Sequence, residues 1–550
     1  MNPLSMRIRM QWKLLKCRTR IQRETIINKK MNQILFKVIL GITVMTLFSC
    51  KTQSQESSPV NVLFISVDDL KPTLGTYGDE KAISPNIDNL AKSGVQFNNA
   101  YCQQAVCAPS RISLFSGLRP DRTKVWDLKT QMRDVIPNAV TIPQYFKQNG
   151  YETVGLGKLM HGAKDNDPVS WTIPYKKDNK LEYAKGFKYP ANGKYQNPET
   201  HKAMKEAKKQ KLGWRATNQY LKKLDLAPSV ECIDIPDDAY EDGAIANAAI
   251  ELLDRLPQGD KPFFLSLGFH KPHLPFSVPK KYWDLYDRDK IELADFTDRA
   301  ENSPGFAYHN WGELRNYSDI PQKGDLITEK QKEIIHGYYA SVSYVDAQIG
   351  KVLEKLKASG LDKNTIVILW GDHGWHLGDH GMWCKHTNFE QATHSPLIIS
   401  APGLNENLKA NTMTEFVDIY PTLCELTGLP VPEFTEGKSL KPALLNPETQ
   451  VKDFAISQYP RGDNRMGYSM RTQRYRLTLW IEGPFREADV LSSPQIESVE
   501  LYDYKKDPNE TVSLAGKEEY KEIEAKLTNK LIKLLQDQQA SGRAGCFTPC

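Results

Sequence analysis

Residues 60–69 read Val-Asn-Val-Leu-Phe-Ile-Ser-Val-Asp-Asp, an almost continuous apolar run that ends in two acidic residues. A strand with apolar side chains on both faces is typical of the interior of a parallel sheet. Similar runs occur at 262–269, 365–370 and 396–400. The first run therefore predicts a buried central strand, and the others predict neighbours of the same kind.

Helical patterns alternate with these runs. Apolar residues recur at helical spacing from Ile334 to Val352 and predict one long helix, and residues 85–93 and 238–255 have helical patterns too. Strands that alternate with helices predict an α/β fold, with a mostly parallel central sheet flanked by helices. Ligands of such sheets bind beyond the carboxyl ends of the strands, so polar residues there are the first candidates for a functional site.

The pattern changes after a Pro- and Glu-rich stretch at 429–448, which predicts a linker. A terminal helix is predicted at 517–538. We expect a large domain at 60–445 and a smaller C-terminal subdomain with an antiparallel sheet at 446–550. The strands predicted for this subdomain are 454–459, 467–480 and 500–504.

The N-terminal region has the features of an export segment. Residues 34–48 are apolar but too short to predict a membrane span, and Leu47-Phe48-Ser49-Cys50 resembles a lipoprotein cleavage site. An ordinary signal peptide is the alternative, and translation could start at Met1 or Met31. We expect 1–50 to be a signal or lipoprotein segment, with a possible lipid anchor at Cys50, and 51–59 to be a tether. The body would then lie in the periplasm or on the outer membrane of a Gram-negative bacterium.

The charge and cysteine content exclude some classes of protein. The 72 basic and 67 acidic residues nearly balance, so composition gives no reason to expect nucleic-acid binding. No cysteine pair has the spacing of a structural zinc site, although Cys546 and Cys550 could form a bridge at the tail. Residues 175–225 are rich in lysine and predict an insertion, which could be a solvated face or could attract a polyanion.

Acidic residues follow two of the predicted central strands. Asp68 and Asp69 end the first run, and Asp372 with His373 follows the run at 365–370. Several carboxylates at one edge of a sheet favour a hard divalent cation with oxygen ligands. Taken alone, Asp68 and Asp69 could instead cap a helix or shape a turn, and Asp372 and His373 could be a pair without a metal.

The stretch Cys107-Ala108-Pro109-Ser110-Arg111 places a cysteine at the start of a predicted helix. A helix N-terminus stabilises anions and lowers the pKa of a thiol. From these residues alone, Cys107 could be a reactive thiol, a buried cysteine or the nucleophile of a cysteine protease.

This stretch, with Leu-Phe-Ser-Gly-Leu-Arg-Pro at 114–120, resembles the signature of the type I, formylglycine-dependent sulfatases of the alkaline phosphatase superfamily. Further motifs follow in family order, so the resemblance covers about 59–515. The run His-Lys-Pro-His-Leu-Pro-Phe at 270–276 and the Asp372-His373 pair are similar to the iduronate-2-sulfatase-like branch. These further motifs are Asp68-Asp69, Gly157–His161, His270–His273, Asp372–Gly374, Lys385 and Thr393–Leu397.

The resemblance implies an alkaline-phosphatase-like fold and a modified nucleophile. A maturation enzyme would oxidise Cys107 to formylglycine (3-oxoalanine), whose hydrate attacks the sulfur of a sulfate ester. Calcium is implied by the resemblance alone, since the ligand types suit magnesium equally. The implied Ca²⁺ ligands are Asp68, Asp69, Cys107 in its modified form, Asp372 and His373.

The resemblance also implies roles for the other residues of these motifs. Arg111 would orient residue 107 and the metal ligands, and Lys158 would contact the sulfate. His273 and Lys385 would contact it near the leaving oxygen, whereas His161 would be the base that releases the product.

Other candidates have less defined roles. His270 would shape the pocket or bind the sugar, and we favour His273 over it as the acid that protonates the leaving group. Arg471 could bind a substrate carboxylate, with Arg474 as the other candidate, although a surface role is equally compatible. Arg119 and His394 are expected to be structural.

We therefore expect an exported sulfatase. Its substrate would be a sulfated polysaccharide that contains uronic acid, such as a glycosaminoglycan or algal ulvan, or oligosaccharides derived from one. The alternatives are a phosphate or phosphonate ester hydrolase of the same superfamily and a non-catalytic glycan-binding lipoprotein.

Overall fold

The central sheet is built around the strand that the first apolar run predicts. The computed structural model describes Met31 and residues 59–544. The predicted export segment, the anchor at Cys50 and the predicted bridge between Cys546 and Cys550 lie outside the described residues. Within the described residues, no helix is both long and apolar enough to cross a membrane.

Strands and helices alternate from residue 59 to residue 445, and strands dominate after that. The strands are β1 (Asn61–Val67), β2 (Val95–Phe97), β3 (Ala100–Tyr101), β4 (Glu152–Gly157), β5 (Val230–Ile233), β6 (Phe263–Phe269), β7 (Phe276–Pro279), β8 (Thr365–Gly371), β9 (His376–Leu377), β10 (Trp383–Cys384), β11 (Leu397–Ser400), β12 (Leu408–Ala410), β13 (Thr414–Glu415), β14 (Phe454–Pro460), β15 (Arg465–Thr472), β16 (Tyr475–Glu482) and β17 (Gln495–Asp503). The helices are α1 (Pro85–Lys92), α2 (Cys107–Ser116), α3 (Pro120–Thr123), α4 (Met132–Val135), α5 (Ile142–Gln148), α6 (Pro198–Lys209), α7 (Trp214–Lys223), α8 (Glu241–Arg255), α9 (Lys280–Trp283), α10 (Thr328–Ala358), α11 (Glu390–Thr393), α12 (Ile419–Thr427), α13 (Lys441–Leu445) and α14 (Lys521–Ala544).

The central sheet has the strand order β12-β2-β11-β8-β1-β6-β4. β8, β1, β6 and β4 are parallel neighbours, and Val67 lies opposite both Phe269 and Gly371. The carboxyl ends of β1, β6 and β8 are therefore level, so the residues that follow these strands meet at one edge of the sheet.

Apolar residues cover both faces of β1, as the first run predicts. Leu63, Ile65 and Val67 belong to a core cluster that includes the buried face of α10, whereas Val62 and Phe64 belong to a second cluster that includes α2. The α/β fold with helices on both faces is thus confirmed.

One predicted neighbour differs in direction. The run at 396–400 forms β11, which is antiparallel to both β8 and β2. The connection at 372–396 crosses no face of the sheet with a long helix. The chain therefore enters β11 at the same carboxyl edge at which it left β8, and β11 runs antiparallel to β8.

The C-terminal sheet is antiparallel, with the order β14-β15-β16-β17, and it packs against Leu527, Leu531 and Leu535 of α14. The single strand predicted at 467–480 is instead a hairpin, which turns between β15 and β16. The stretch predicted as a linker contains α13 and the buried residues Leu440 and Leu444, so part of it belongs to the core.

The edge strand β4 was not predicted, although it positions a candidate residue. A Cβ atom on Gly268 of β6 would lie 1.9 Å from the carbonyl oxygen of Lys158. Gly157, which ends β4, has a φ of 72°. Both positions need glycine, because the chain crosses directly over β6 as it leaves β4. That crossing brings Lys158 to the carboxyl edge of the sheet, where Asp68 lies.

Candidate active site

The carboxyl edge of the sheet gathers the predicted metal ligands. Asp68 and Asp69 follow β1, and Asp372 and His373 follow β8; all four side chains are buried. Asp69 has a left-handed φ of 59°, and its backbone N–H donates to Asp372 Oδ1 at 2.9 Å. This hydrogen bond holds the turn after β1 against the Asp372 carboxylate, which follows β8.

Cys107 is the first residue of α2 and is 2% exposed. Its Sγ lies 3.5 Å from Lys158 Nζ and 4.0 Å from Asp69 Oδ1. Burial would raise the pKa of this thiol, but Lys158 and Lys385 outweigh burial and hold the pKa well below its ordinary value. These surroundings favour the thiolate over the thiol.

The other described cysteines lie in the opposite environment. Burial raises the thiol pKa of Cys102, Cys232, Cys384 and Cys424. Among the residues of 59–544, Cys107 is therefore the one cysteine whose environment favours the reactive form.

The acidic residues and Cys107 could hold a metal ion. Ligand atoms of Asp69, Cys107, Asp372 and His373 all lie within 4.8 Å of one another, and the same holds for Asp68, Asp69, Cys107 and His273. His373 donates from Nδ1 to the carbonyl oxygen of Gly374 at 3.0 Å, whereas its buried Nε2 has no hydrogen-bond partner in the described chain. This nitrogen lies 3.3 Å from Asp69 Oδ1. An unpartnered ring nitrogen among carboxylate oxygens fits a divalent cation.

Arg111 pairs with two of these carboxylates from the buried side. Its Nε lies 2.8 Å from Asp372 Oδ2 and its Nη2 3.0 Å from Asp68 Oδ1. Its Nη1 donates to Ser66 Oγ and to the carbonyl oxygens of Lys158 and Leu159. Each guanidinium nitrogen is thus bonded, and the arginine fixes the ends of β1, β4 and β8 relative to one another.

Lys385 and His273 flank the cluster at Asp69. Lys385 Nζ lies 2.9 and 3.0 Å from the two carboxylate oxygens of Asp69, and Lys158 pairs with Asp68. His273 donates from Nδ1 to the carbonyl oxygen of Leu274 at 2.6 Å, which leaves Nε2 facing Asp69 Oδ2 at 3.8 Å. Burial would lower the pKa of His273, but Asp69 outweighs it and the pKa rises to about 10.

His161 lies next to Cys107, within hydrogen-bonding reach of its thiol. Three successive backbone N–H groups, at residues 159, 160 and 161, donate to one carboxylate oxygen of Asp165 and fix this turn. The buried His161 Nδ1 has no hydrogen-bond partner within the described chain. Burial lowers the pKa of His161, so the ring is available as a base.

His270 is held apart from these groups. Its Nε2 donates to Asp178 of the 175–225 insertion at 3.2 Å, and its backbone N–H donates to Asp242. Burial would lower the pKa of His270, but Asp178 outweighs it and the pKa rises to about 9. His273 is therefore the histidine of this run that joins the Cys107 cluster, and a substrate role for His270 stays a prediction.

Arg471, for which a substrate role is predicted, has its partners within the fold. Its buried guanidinium pairs with Glu390 at 3.3 Å and stacks on Tyr504, with 3.4 Å between the guanidinium carbon and the ring centroid. Arg474 pairs instead with Asp503 at 2.7 Å. Arg471 therefore joins the C-terminal sheet to α11, and Arg474 joins the turn before β16 to the end of β17. A substrate role for either arginine stays a prediction.

Sequence analysis missed Glu313. Its carboxylate oxygens lie 3.2 Å from His273 Nε2 and 3.1 Å from Lys385 Nζ. Trp311, two residues earlier, anchors the segment by donating from Nε1 to the carbonyl oxygen of Gly381. No periodic pattern marks this segment, so no signal in the sequence pointed to Glu313.

Comparison with known proteins identifies the family that this chain matches. The model of the family described as Sulfatase matches residues 60–429, and one described as N-sulphoglucosamine sulphohydrolase, C-terminal, matches residues 378–537. Iduronate 2-sulfatase from Mus musculus is 34% identical, over 86% of this chain and 94% of its own length. A sulfatase from Formosa agariphila is 31% identical, over 89% and 90%.

Solved structures agree on the fold. A phosphonate monoester hydrolase of Agrobacterium radiobacter superposes with a TM-score of 0.64, at 22% identity, over 87% of this chain and 96% of its own. At that identity the likeness concerns the fold alone.

Proposed function

The chain belongs to the sulfatase family and is a sulfuric ester hydrolase, and we propose that it removes sulfate from a uronic-acid-containing sulfated polysaccharide or its oligosaccharides. The observation that supports this most directly is the convergence of Lys158, His273 and Lys385 beside Cys107. Three cationic groups that converge on this site would stabilise the charge of a sulfate group and of the leaving oxygen.

The proposed site needs a metal ion and a modified cysteine. A divalent cation, which we propose to be Ca²⁺ held by Asp68, Asp69, Asp372, His373 and residue 107, would neutralise charge on the sulfate oxygens. We propose that a maturation enzyme converts Cys107 to formylglycine, whose hydrate supplies the nucleophilic oxygen.

The side chains around residue 107 would have the remaining roles in the reaction. Lys158 lies beside residue 107 and would bind a sulfate oxygen. His273 Nε2 faces the cluster and would deliver a proton to the leaving oxygen, with Lys385 close by. His161, next to residue 107, would take a proton from it.

The choice of a uronic-acid-containing glycan rests on similarity. The Mus musculus relative is named for iduronate, and it is aligned over most of both chains. Hydrolysis of phosphate or phosphonate esters is the second candidate, because a phosphonate monoester hydrolase has the same fold.

Two assays test the proposal. The chain should have a higher kcat/KM for 4-nitrophenyl sulfate than for 4-nitrophenyl phosphate or a phenylphosphonate monoester. In a panel of sulfated oligosaccharides, those with a uronic acid should release sulfate faster than those of neutral sugars. A preference for the phosphorus esters would contradict the proposed reaction, and equal release across the panel would contradict the proposed substrate.

Glu313 offers a finer test of the leaving-group side. Glu313→Gln should lower kcat roughly ten- to a hundredfold and change KM less, because the neutral amide no longer orients His273 and Lys385 by charge. Glu313→Asp keeps the charge on a shorter side chain and should recover part of the loss. Steady-state kinetics on one sulfate ester would measure both, and an unchanged kcat in Glu313→Gln would contradict this role.

A further inference from the structure

The helical hairpin formed by α6 and α7 has a charge opposite to that of the rest of the body. Residues 198–223 contain eight lysine and arginine residues and two acidic residues. Residues 59–550 as a whole contain 61 basic and 65 acidic residues. The body is thus slightly acidic, although one segment of 26 residues is strongly basic, so its positive charge is a local feature and not a general property of the surface.

The hairpin has a defined inner and outer side. Ala203 of α6 and Leu221 of α7 are buried in a small cluster with Tyr195 and Ala227. Lys202, Lys205, Lys208 and Lys209 of α6 are all exposed. Because the apolar residues fix the inner side, the lysines are held together on the outer side.

Most of these cations have no partner within the protein. No ion pair or hydrogen bond in the described part of the chain involves the side chains of Lys205, Lys208, Lys211, Arg215 or Lys223. Lys202 and Lys209 pair with glutamates at 3.6 and 3.3 Å, but at exposed positions where such pairs contribute little. Burial and the charges of Lys205 and Lys188 lower the pKa of His201, as expected in a positive potential.

The hairpin is joined to the segment that borders the catalytic pocket. Lys222 Nζ of α7 donates to the carbonyl oxygen of Arg315 at 2.5 Å. Lys194, in the turn before α6, lies 5.2 Å from the ring centroid of Tyr317. Glu313 of the same segment contacts His273 and Lys385. A polymer that places one sulfate in the pocket could therefore extend over the hairpin.

We propose that the outer face of α6 and α7 binds the polyanionic chain of a sulfated glycan beyond the sugar that is cleaved, an inference that rests on the proposed function. A glycan with a charge on most sugars is attracted to a cluster of basic residues on a protein whose remaining net charge is slightly negative. The indole of Trp214, at the start of α7, is 73% exposed and offers a flat apolar face to a sugar ring.

The test neutralises this face and leaves the pocket untouched. The variant combines Lys202→Gln, Lys205→Gln, Lys208→Gln and Lys209→Gln, and glutamine keeps the helix propensity of lysine. A matched control combines Lys92→Gln, Lys261→Gln, Lys357→Gln and Lys363→Gln, which are exposed elsewhere. The probes are heparin, for binding at graded salt concentrations, and 4-nitrophenyl sulfate, for turnover.

The hairpin variant should bind heparin roughly tenfold more weakly and elute from it at lower salt, whereas the control should match the unaltered protein. Turnover of 4-nitrophenyl sulfate should be unchanged in both. Equal heparin binding by the two variants would overturn the proposal. A hairpin variant that binds heparin normally but no longer binds vesicles of anionic phospholipid would also overturn it, because that result would assign the face to a membrane. If heparin binding falls as expected but the unaltered protein cleaves no sulfate ester, the binding face stands and the proposed function fails.

Discussion

Cys107→Ala should abolish hydrolysis of sulfate esters, with a loss of roughly 10⁴-fold or more in kcat, the scale seen when an enzyme loses its nucleophile. Alanine removes the thiol that would be converted to formylglycine and one of the atoms that could hold the cation. The pocket should otherwise survive, because Arg111 fixes the surrounding strand ends without contacting the side chain of residue 107. Release of sulfate from a fixed ester, measured on equal amounts of folded protein, checks the result.

Two controls separate this effect from general damage. Cys424→Ala removes another buried thiol, one outside the catalytic cluster, and should leave kcat nearly unchanged. In the unaltered protein, the peptide that contains residue 107 should be lighter than its thiol form by roughly 18 Da, the difference between a thiol and an aldehyde. Active protein with only the thiol at this position would refute the proposed nucleophile, whatever the variant does.

Strands that are buried on both faces could be predicted from the sequence. β1, β6 and β8 are apolar on both faces, so their patterns predicted them almost residue by residue. β4 lies at the edge of the sheet, reads Glu-Thr-Val-Gly-Leu-Gly and has two glycines where the chain needs close approach. Its pattern is therefore too weak to predict a strand without knowledge of what packs against it.

The site could be predicted where it depends on strand ends. Asp68 and Asp372 meet because the parallel register makes the ends of β1 and β8 level, a consequence of the fold itself. Glu313 reaches the candidate active site from an irregular segment held by the hydrogen bond of Trp311, and Arg471 is paired with Glu390. Such contacts depend on partners far away in sequence, which patterns along the chain do not identify.

Arg111→Met should lower the free energy of unfolding by about 3–5 kcal/mol when the protein is treated with a chelator. Arg111 is fully buried and pairs with Asp68 and Asp372, so its removal leaves buried carboxylates with less compensation. A divalent cation bound by the same carboxylates would supply part of the missing charge and would favour the folded state. The loss should therefore be smaller with calcium than with EDTA, as measured by urea unfolding under both conditions.

Arg119→Met is the matched control for this effect. Arg119 is also buried, and it pairs with Glu415, which is in turn paired with Lys452 and is not among the candidate metal ligands. Its loss should destabilise the protein to a similar degree but equally with calcium and with EDTA. A calcium-dependent difference for Arg111→Met alone would tie the buried arginine to the metal site independently of any assay of activity. Equal losses for both variants under both conditions would contradict that link and would leave Arg111 as a structural arginine like Arg119.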